Sequence, residues 1–186
     1  MQLQETKTPG CYEIIPAVAG DARGVFVKTF REDVFAKHKL ESHFVEEYYS
    51  ISHRRVLRGL HFQIPPKACE KMVYCVSGSV LDVILDLRLG SPAYGTCEAF
   101  TLDSTKANIL HIPAGVAHGF YVQSEHATLI YKTTALYSPA HDTGIRWDSV
   151  SFSWPDPDPI VSDRDKGFPL LKNFKSPFVY RGSERE

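Results

Sequence analysis

The sequence predicts an all-β jelly-roll barrel with a few short peripheral helices. Glycine and proline punctuate the chain at short intervals, and β-branched and aromatic residues fill the pieces between them. Several of these pieces alternate apolar and polar residues with the two-residue period of a strand. Many short strands with close turn signals point to a sandwich or jelly roll, not to βαβ units. In chain order, Glu32 to His38 is the one convincingly helical stretch and reads as a short surface turn. Val80 to Arg88 puts Leu81, Val83, Leu85 and Leu87 on one face and Asp82, Asp86 and Arg88 on the other, with Val80 and Ile84 among them. That pattern predicts a strand buried on one side. Asn108 to Pro113, Gly119 to Gln123 and Thr128 to Thr134 read as further strands, separated by turn formers such as Pro113-Ala114-Gly115. From Trp154 the chain turns rich in Pro and Asp and reads as an extended segment wrapping the barrel, with Tyr180 to Glu186 as a loose polar end.

A length of 186 residues suits one domain over 1–186, with a core at about 10–170 and an extended C-terminal segment at 171–186. The formal net charge is −1, and no long basic run is present, so no nucleic-acid partner is expected. No membrane partner is expected either: the richest apolar stretch, Val80 to Leu87, carries Asp82 and Asp86. Met1 to Gly10 is polar and lacks the apolar block of a signal peptide. Cys11, Cys69, Cys75 and Cys97 show no CxxC spacing and read as reduced packing thiols of a cytoplasmic protein.

Two constellations stand out for chemistry. The first is Arg58-Gly59-Leu60-His61-Phe62-Gln63, followed by Glu70-Lys71. Arginine offers a planar fork that holds a phosphate through two hydrogen bonds, and Gly59 lets the backbone approach a ligand closely. His61 stands beside them as a candidate base. A surface arginine and a packed histidine are the plainer explanation, and for a lone histidine the commoner one. The second constellation, Pro113 to His118, delivers a histidine from a tight turn into a barrel mouth. In a third region, Tyr131 and Thr133 share one strand face, and Tyr137 comes at the strand end, where loops carry function. Taken alone, Tyr137 would more often be a packing residue with a hydrogen-bonded hydroxyl.

The first two constellations resemble the paired motifs of cupins, with Gln63 standing where a second metal-binding histidine would be. His61, Glu70 and His118 could still offer three ligands to a transition metal, and a metal-dependent oxygenase or isomerase is the competing enzyme reading. The missing ligand argues against it.

Read in order, the segments resemble the dTDP-4-dehydrorhamnose 3,5-epimerase family from about Gly10 to Leu170. The motifs are Asp21 to Phe26, Val56 to Gln63, Asp82 to Arg88 with Ser91 to Gly95, Ile112 to Phe120, Tyr131 to Pro139, Gly144 to Asp148, and Ser162 to Asp165. The resemblance implies a cupin-like fold and epimerisation of a 4-keto sugar carried on a nucleoside diphosphate. It implies His61 as the base, Asp165 as its carboxylate support, Lys71 at the C4 oxygen and Tyr137 as the acid on the opposite face. Asp163 is the near neighbour of Asp165, and the Ser-x-x-Asp spacing favours Asp165. Arg23 and Arg58 are implied to grip the diphosphate, and His118 to line the sugar pocket. Phe26, Lys28, Glu46, Tyr48 and Gln63 complete the implied substrate-binding set. No metal or cofactor is implied, because the ketone itself is the electron sink. A homodimer is implied, with N-terminal strands exchanged or aligned across the interface.

Ala19, Lys28, Glu46 and Tyr48 depart from the aromatic, Glu, Gln and Asn usual in the family. These departures leave open the nucleotide base, the sugar, and whether one centre or two is inverted. Two alternatives come from other classes: a sugar-nucleotide binder without catalysis, which would lack His, Lys or Tyr, and a 3,4-ketoisomerase, expected to use a histidine pair.

Overall fold

The computed structural model describes residues 1–182; the end of the predicted loose tail, 183–186, lies outside the described residues. The described chain forms thirteen strands and two short α-helices. The strands are β1 (Gln2–Glu5), β2 (Tyr12–Ile15), β3 (Val18–Asp21), β4 (Gly24–Val27), β5 (Glu46–His53), β6 (Leu57–Gln63) and β7 (Lys71–Ser77). They continue with β8 (Ser79–Asp86), β9 (Cys97–Asp103), β10 (Ile109–Ile112), β11 (Val116–Val122), β12 (His126–Thr133) and β13 (Asp142–Gly144). The helices are α1 (Glu32–Lys37) and α2 (Asp163–Lys166). A six-stranded sheet, β1-β2-β10-β7-β12-β5, faces a five-stranded sheet, β13-β6-β11-β8-β9, and β3 pairs only with β4 in a separate hairpin. All pairings between these strands are antiparallel. The fold is all-β, as the turn spacing predicts, and cupin-like, as the family resemblance implies.

Between the sheets lies a core of Cys11, Val73, Val80, Ile84, Leu102, Phe120 and Leu129 with their neighbours. The side chains come from alternate positions of both sheets, the packing a pleated strand requires. α1 covers a second cluster, where fully buried Phe35 meets Ile14, Met72 and Ile109. Glu32 and Asp33 in its first turn and Lys37 in its last complement the helix dipole.

β8 departs from the expected one-sided strand. Its face bearing Val80 and Ile84 enters the core and carries Asp82 and Asp86 in with it, both fully buried. The opposite face, with Val83, Leu85 and Leu87, is buried too, beneath Phe178 and the flanking Phe152, Trp154 and Phe174. The chain beyond Trp154 is therefore the second cover of β8. It is stitched down by parallel bridges from Val56 to Ile160 and from Leu89 to Val179. Tyr180, expected in the loose end, donates its backbone N–H to Leu89 O at 2.9 Å, and Arg88 lies 5.2 Å from its ring centroid.

β11 begins at Val116, three residues before the predicted Gly119, and β12 begins at His126 instead of Thr128. β6 and β7, which the alternation did not single out, are buried on both faces, so they carry no polar–apolar rhythm.

Candidate active site

The mouth between the two sheets opens into a cavity of about 430 Å³. β6 supplies Arg58, His61 and Gln63 to its wall, β7 Lys71, β11 His118, β12 Tyr131 and Thr133, and β5 Glu46, Tyr48 and Ser50. Tyr137 comes from the loop after β12, and Arg164 from α2. His61 and His118 sit directly opposite each other on paired strands, followed by a register shift at Phe120.

His61 is held by a carboxylate from far along the chain. Its Nε2 lies 2.9 Å from Asp165 Oδ1, and Gly59 N–H donates to Asp165 Oδ2 at 3.0 Å. Asp165 is placed by the cap of α2, where Ser162 Oγ accepts the Asp165 N–H at 3.1 Å. An acid at this third position of a helix often turns back to the N-cap; here its oxygens go to β6 instead. Burial pushes the Asp165 carboxyl up, but the hydrogen bond and charge of His61 and the N–H of Gly59 together leave it below the ordinary value. Its neighbour Asp163 faces solvent beside Lys166. Gly59 permits this geometry: its φ is +133°, and a Cβ there would fall 2.5 Å from Gly119 Cα.

Lys71 is buried and donates from Nζ to His61 O at 3.1 Å. Burial drives its pKa down, against partial compensation from Cys69, Asp142 and Asp82. A second histidine–carboxylate pair lies deeper, with His118 Nε2 2.7 Å from Asp82 Oδ2 and both side chains buried. Arg58 donates from Nε to Ser52 Oγ at 2.9 Å and presents the rest of its fork to the cavity. At the rim Arg164 pairs with Asp142 and lies over the Phe168 ring.

Besides Tyr48, two further tyrosines line the cavity. Tyr137 is 55% exposed at the mouth, and its N–H donates to Glu46 Oε2 at 2.7 Å. Tyr131 is buried in the wall, stacked on Tyr48 at 4.8 Å between ring centroids, with its hydroxyl 3.3 Å from Ser50 Oγ. Burial pushes the Tyr131 phenol strongly up. Site reasoning from the sequence missed Tyr131, Asp82, Asp142 and Arg164. Signals existed for two of them: an acid inside the apolar run of β8, and the shared strand face of Tyr131 and Thr133.

Three candidates are not brought to the cavity of their own chain. Arg23 and Phe26 lie on the β3–β4 hairpin and Lys28 just beyond it, all exposed, with Arg23 paired to Asp21. Among the described residues the hairpin pairs with no other strand, and none of the three lines the cavity. Gln63 lines the cavity, yet its amide is engaged with Lys67 O, Leu136 O and the Ser138 N–H. The three residues of the metal reading are not assembled: Glu70 Oε2 lies 3.0 Å from His111 Nε2, away from His61 and His118. Among the described residues no group of three His, Cys, Asp or Glu side chains could hold a metal ion.

Chemically, the cavity joins a carboxylate-braced imidazole to an ammonium that can stabilise an oxyanion, with arginines suited to phosphate. The family model described as dTDP-4-dehydrorhamnose 3,5-epimerase matches residues 5–173. A dTDP-4-dehydrorhamnose 3,5-epimerase of Shigella flexneri is 40% identical over 170 residues, spanning 89% of this chain and 93% of the relative. The crystal structure of a dTDP-6-deoxy-D-glucose-3,5-epimerase from Legionella pneumophila, in complex with dTDP-4-keto-L-rhamnose, gives a TM-score of 0.91 at 31% identity. That match covers 97% of this chain and 98% of the other. A double mutant of a 3'-monoepimerase from Streptomyces bikiniensis, in complex with dTDP, gives a TM-score of 0.85 at 28% identity, covering 90% of this chain and 86% of that one. Its two replacements, His to Asn and Tyr to Phe, lie 70 positions apart.

Proposed function

Because the chain belongs to the dTDP-4-dehydrorhamnose 3,5-epimerase family, we propose that it inverts C3, C5 or both of a nucleoside-diphosphate 4-keto-6-deoxy sugar. It is a carbohydrate epimerase of deoxysugar biosynthesis. The observation that carries the mechanism is the Asp165-held His61 meeting Lys71 in one cavity. The ketone acidifies the hydrogens on its flanking carbons. His61 removes one of them, and Asp165 stabilises the imidazolium that forms. The electron pair moves onto the C4 oxygen, where the Lys71 ammonium stabilises the enolate in a cavity of low dielectric. A tyrosine returns a proton from the opposite face. His118 lines the sugar pocket, and Arg58 binds the diphosphate.

Tyr137, at the mouth, is the first reading for that tyrosine. A second observation favours Tyr131: it lies 70 positions after His61, the separation of the two residues replaced in the Streptomyces bikiniensis variant. The two readings separate in single variants, because only loss of the acid allows deuterium to enter while product fails to form.

The protein acts as a homodimer in this proposal. In support, the exposed β3–β4 hairpin carries Arg23 and Phe26 away from their own cavity, and β5 ends its sheet with Tyr49 and Ile51 exposed. A cytoplasmic location is proposed on the four free cysteines, three of them buried. No helix among the described residues is long and apolar enough to cross a membrane.

The test is incubation in heavy water with dTDP-4-keto-6-deoxyglucose, followed by mass spectrometry and a reductase-coupled assay. Two deuterons indicate a 3,5-epimerase and one a single-centre enzyme. His61→Ala is expected to take up none. No uptake from dTDP-, CDP-, UDP- or GDP-linked 4-keto sugars would overturn the reading.

A further inference from the structure

We propose that Glu46 and Gln63 are positioning residues that clamp the backbone at Leu136–Ser138 and so fix the Tyr137 ring at the cavity mouth. The chain leaves β12 at Thr133 and next enters a strand at Asp142, so the segment between has no sheet ladder to hold it. Three successive residues there are held by two side chains instead. Gln63 Nε2 donates to Leu136 O at 3.3 Å, Glu46 Oε2 accepts the Tyr137 N–H at 2.7 Å, and Gln63 Oε1 accepts the Ser138 N–H at 2.6 Å. Ser138 extends the hold, since His141 Nδ1 lies 2.8 Å from its Oγ and its carbonyl accepts the N–H groups of His141 and Asp142.

The two clamp residues come from different sheets. Glu46 opens β5, opposite Thr133 of β12, and Gln63 closes β6, opposite Asp142 of β13. The loop is thus tied to both walls of the mouth. Tyr137 depends on this tie. The residue is more than half exposed, and among the described residues its hydroxyl has no hydrogen-bond partner, so its backbone sets its position. The Glu46 bond is charge-assisted, the stronger kind, and removing the acceptor leaves a peptide N–H with only solvent to bond. Both residues were expected to touch the substrate; the geometry has them act through Tyr137.

The inference rests on the reading that Tyr137 meets the substrate, and two measurements separate them. The first is amide hydrogen exchange of Tyr137 by NMR in the full-length protein, which reads local opening directly. Glu46→Ala is expected to speed it at least about tenfold, and Glu46→Gln, which keeps an acceptor, to recover most of the protection. The second is a double-mutant cycle in kcat/KM. Glu46→Ala is expected to lower kcat/KM about tenfold in the wild-type background and to have no further effect in Tyr137→Ala. Unchanged exchange at Tyr137, or an undiminished effect in the Tyr137→Ala background, overturns the clamp. Full kcat/KM in Tyr137→Ala would sink the role given to Tyr137, and the exchange measurement alone then decides the clamp: loosening supports it, no change overturns it.

Discussion

In the proposed mechanism, much of the chemistry rests on one well-placed oxygen pair, that of Asp165. Its two oxygens take one contact each from His61 and from the Gly59 N–H, so Asp165→Asn must turn an amide NH₂ toward one of these donors. Steady-state turnover is expected to fall about 10²- to 10⁴-fold, with nucleotide affinity nearly unchanged. The carboxyl also contributes to stability. Because its folded pKa lies below its unfolded value of 3.8, that contribution is complete above the unfolded value and is lost as pH falls through the folded one. Lys71 works in the opposite sense. Burial lowers its pKa from 10.5, so the folded state releases the proton first, and stability rises as pH climbs between the folded value and 10.5. Lys71→Met is accordingly expected to raise Tm while lowering kcat at least about 100-fold, measured by calorimetry and by the coupled assay. The alkaline limb of the wild-type rate should fall below the ordinary lysine range.

At the scale of elements, the close antiparallel pairing of β6 and β11 at Gly59 and Gly119 shapes the site. Gly59→Ala would combine a left-handed backbone with a Cβ 2.5 Å from Gly119 Cα. The expected cost is at least about 2 kcal/mol, read in urea melts, together with loss of activity as His61 moves away from Asp165. The Arg58-to-Gln63 motif drew notice in the sequence for chemistry, not as a strand. A strand covered on both faces has no alternation to read, and β6 and β7 are such strands. β8 was legible as a strand and misleading as to its environment. Its acids pointed to a solvent face, yet Asp82 found His118, and Asp86 found Arg88 and Ser91, so the charges could be carried into the interior. Alternation reports which side chains share a face, but it does not report what later covers that face.

Across the whole molecule, the fold class followed from turn spacing and the wrapping segment from its composition, whereas the meeting of residues distant in sequence did not. His61 and Asp165 were paired through a family resemblance, since no local pattern links a strand to a helix cap 104 positions away. Arg23, Phe26 and Lys28 were sought among the substrate-binding residues and stand apart from the cavity, on the hairpin or just after it. If they complete a partner's site, light scattering at micromolar protein will give twice the chain mass, and Phe26→Asp will shift the mass toward the monomer and raise KM together. A monomeric wild type with full activity would remove that role.

The His61–Asp165 pair spans 104 positions of sequence. On the ribosome, His61, Lys71 and both candidate tyrosines emerge well before the aspartate that holds His61. A nascent chain stalled short of residue 165 would therefore hold most of the cavity and lack the carboxylate that holds His61. On the proposed mechanism, enzyme activity is then a timer: it starts when the wrapping segment has been made and has closed over β6.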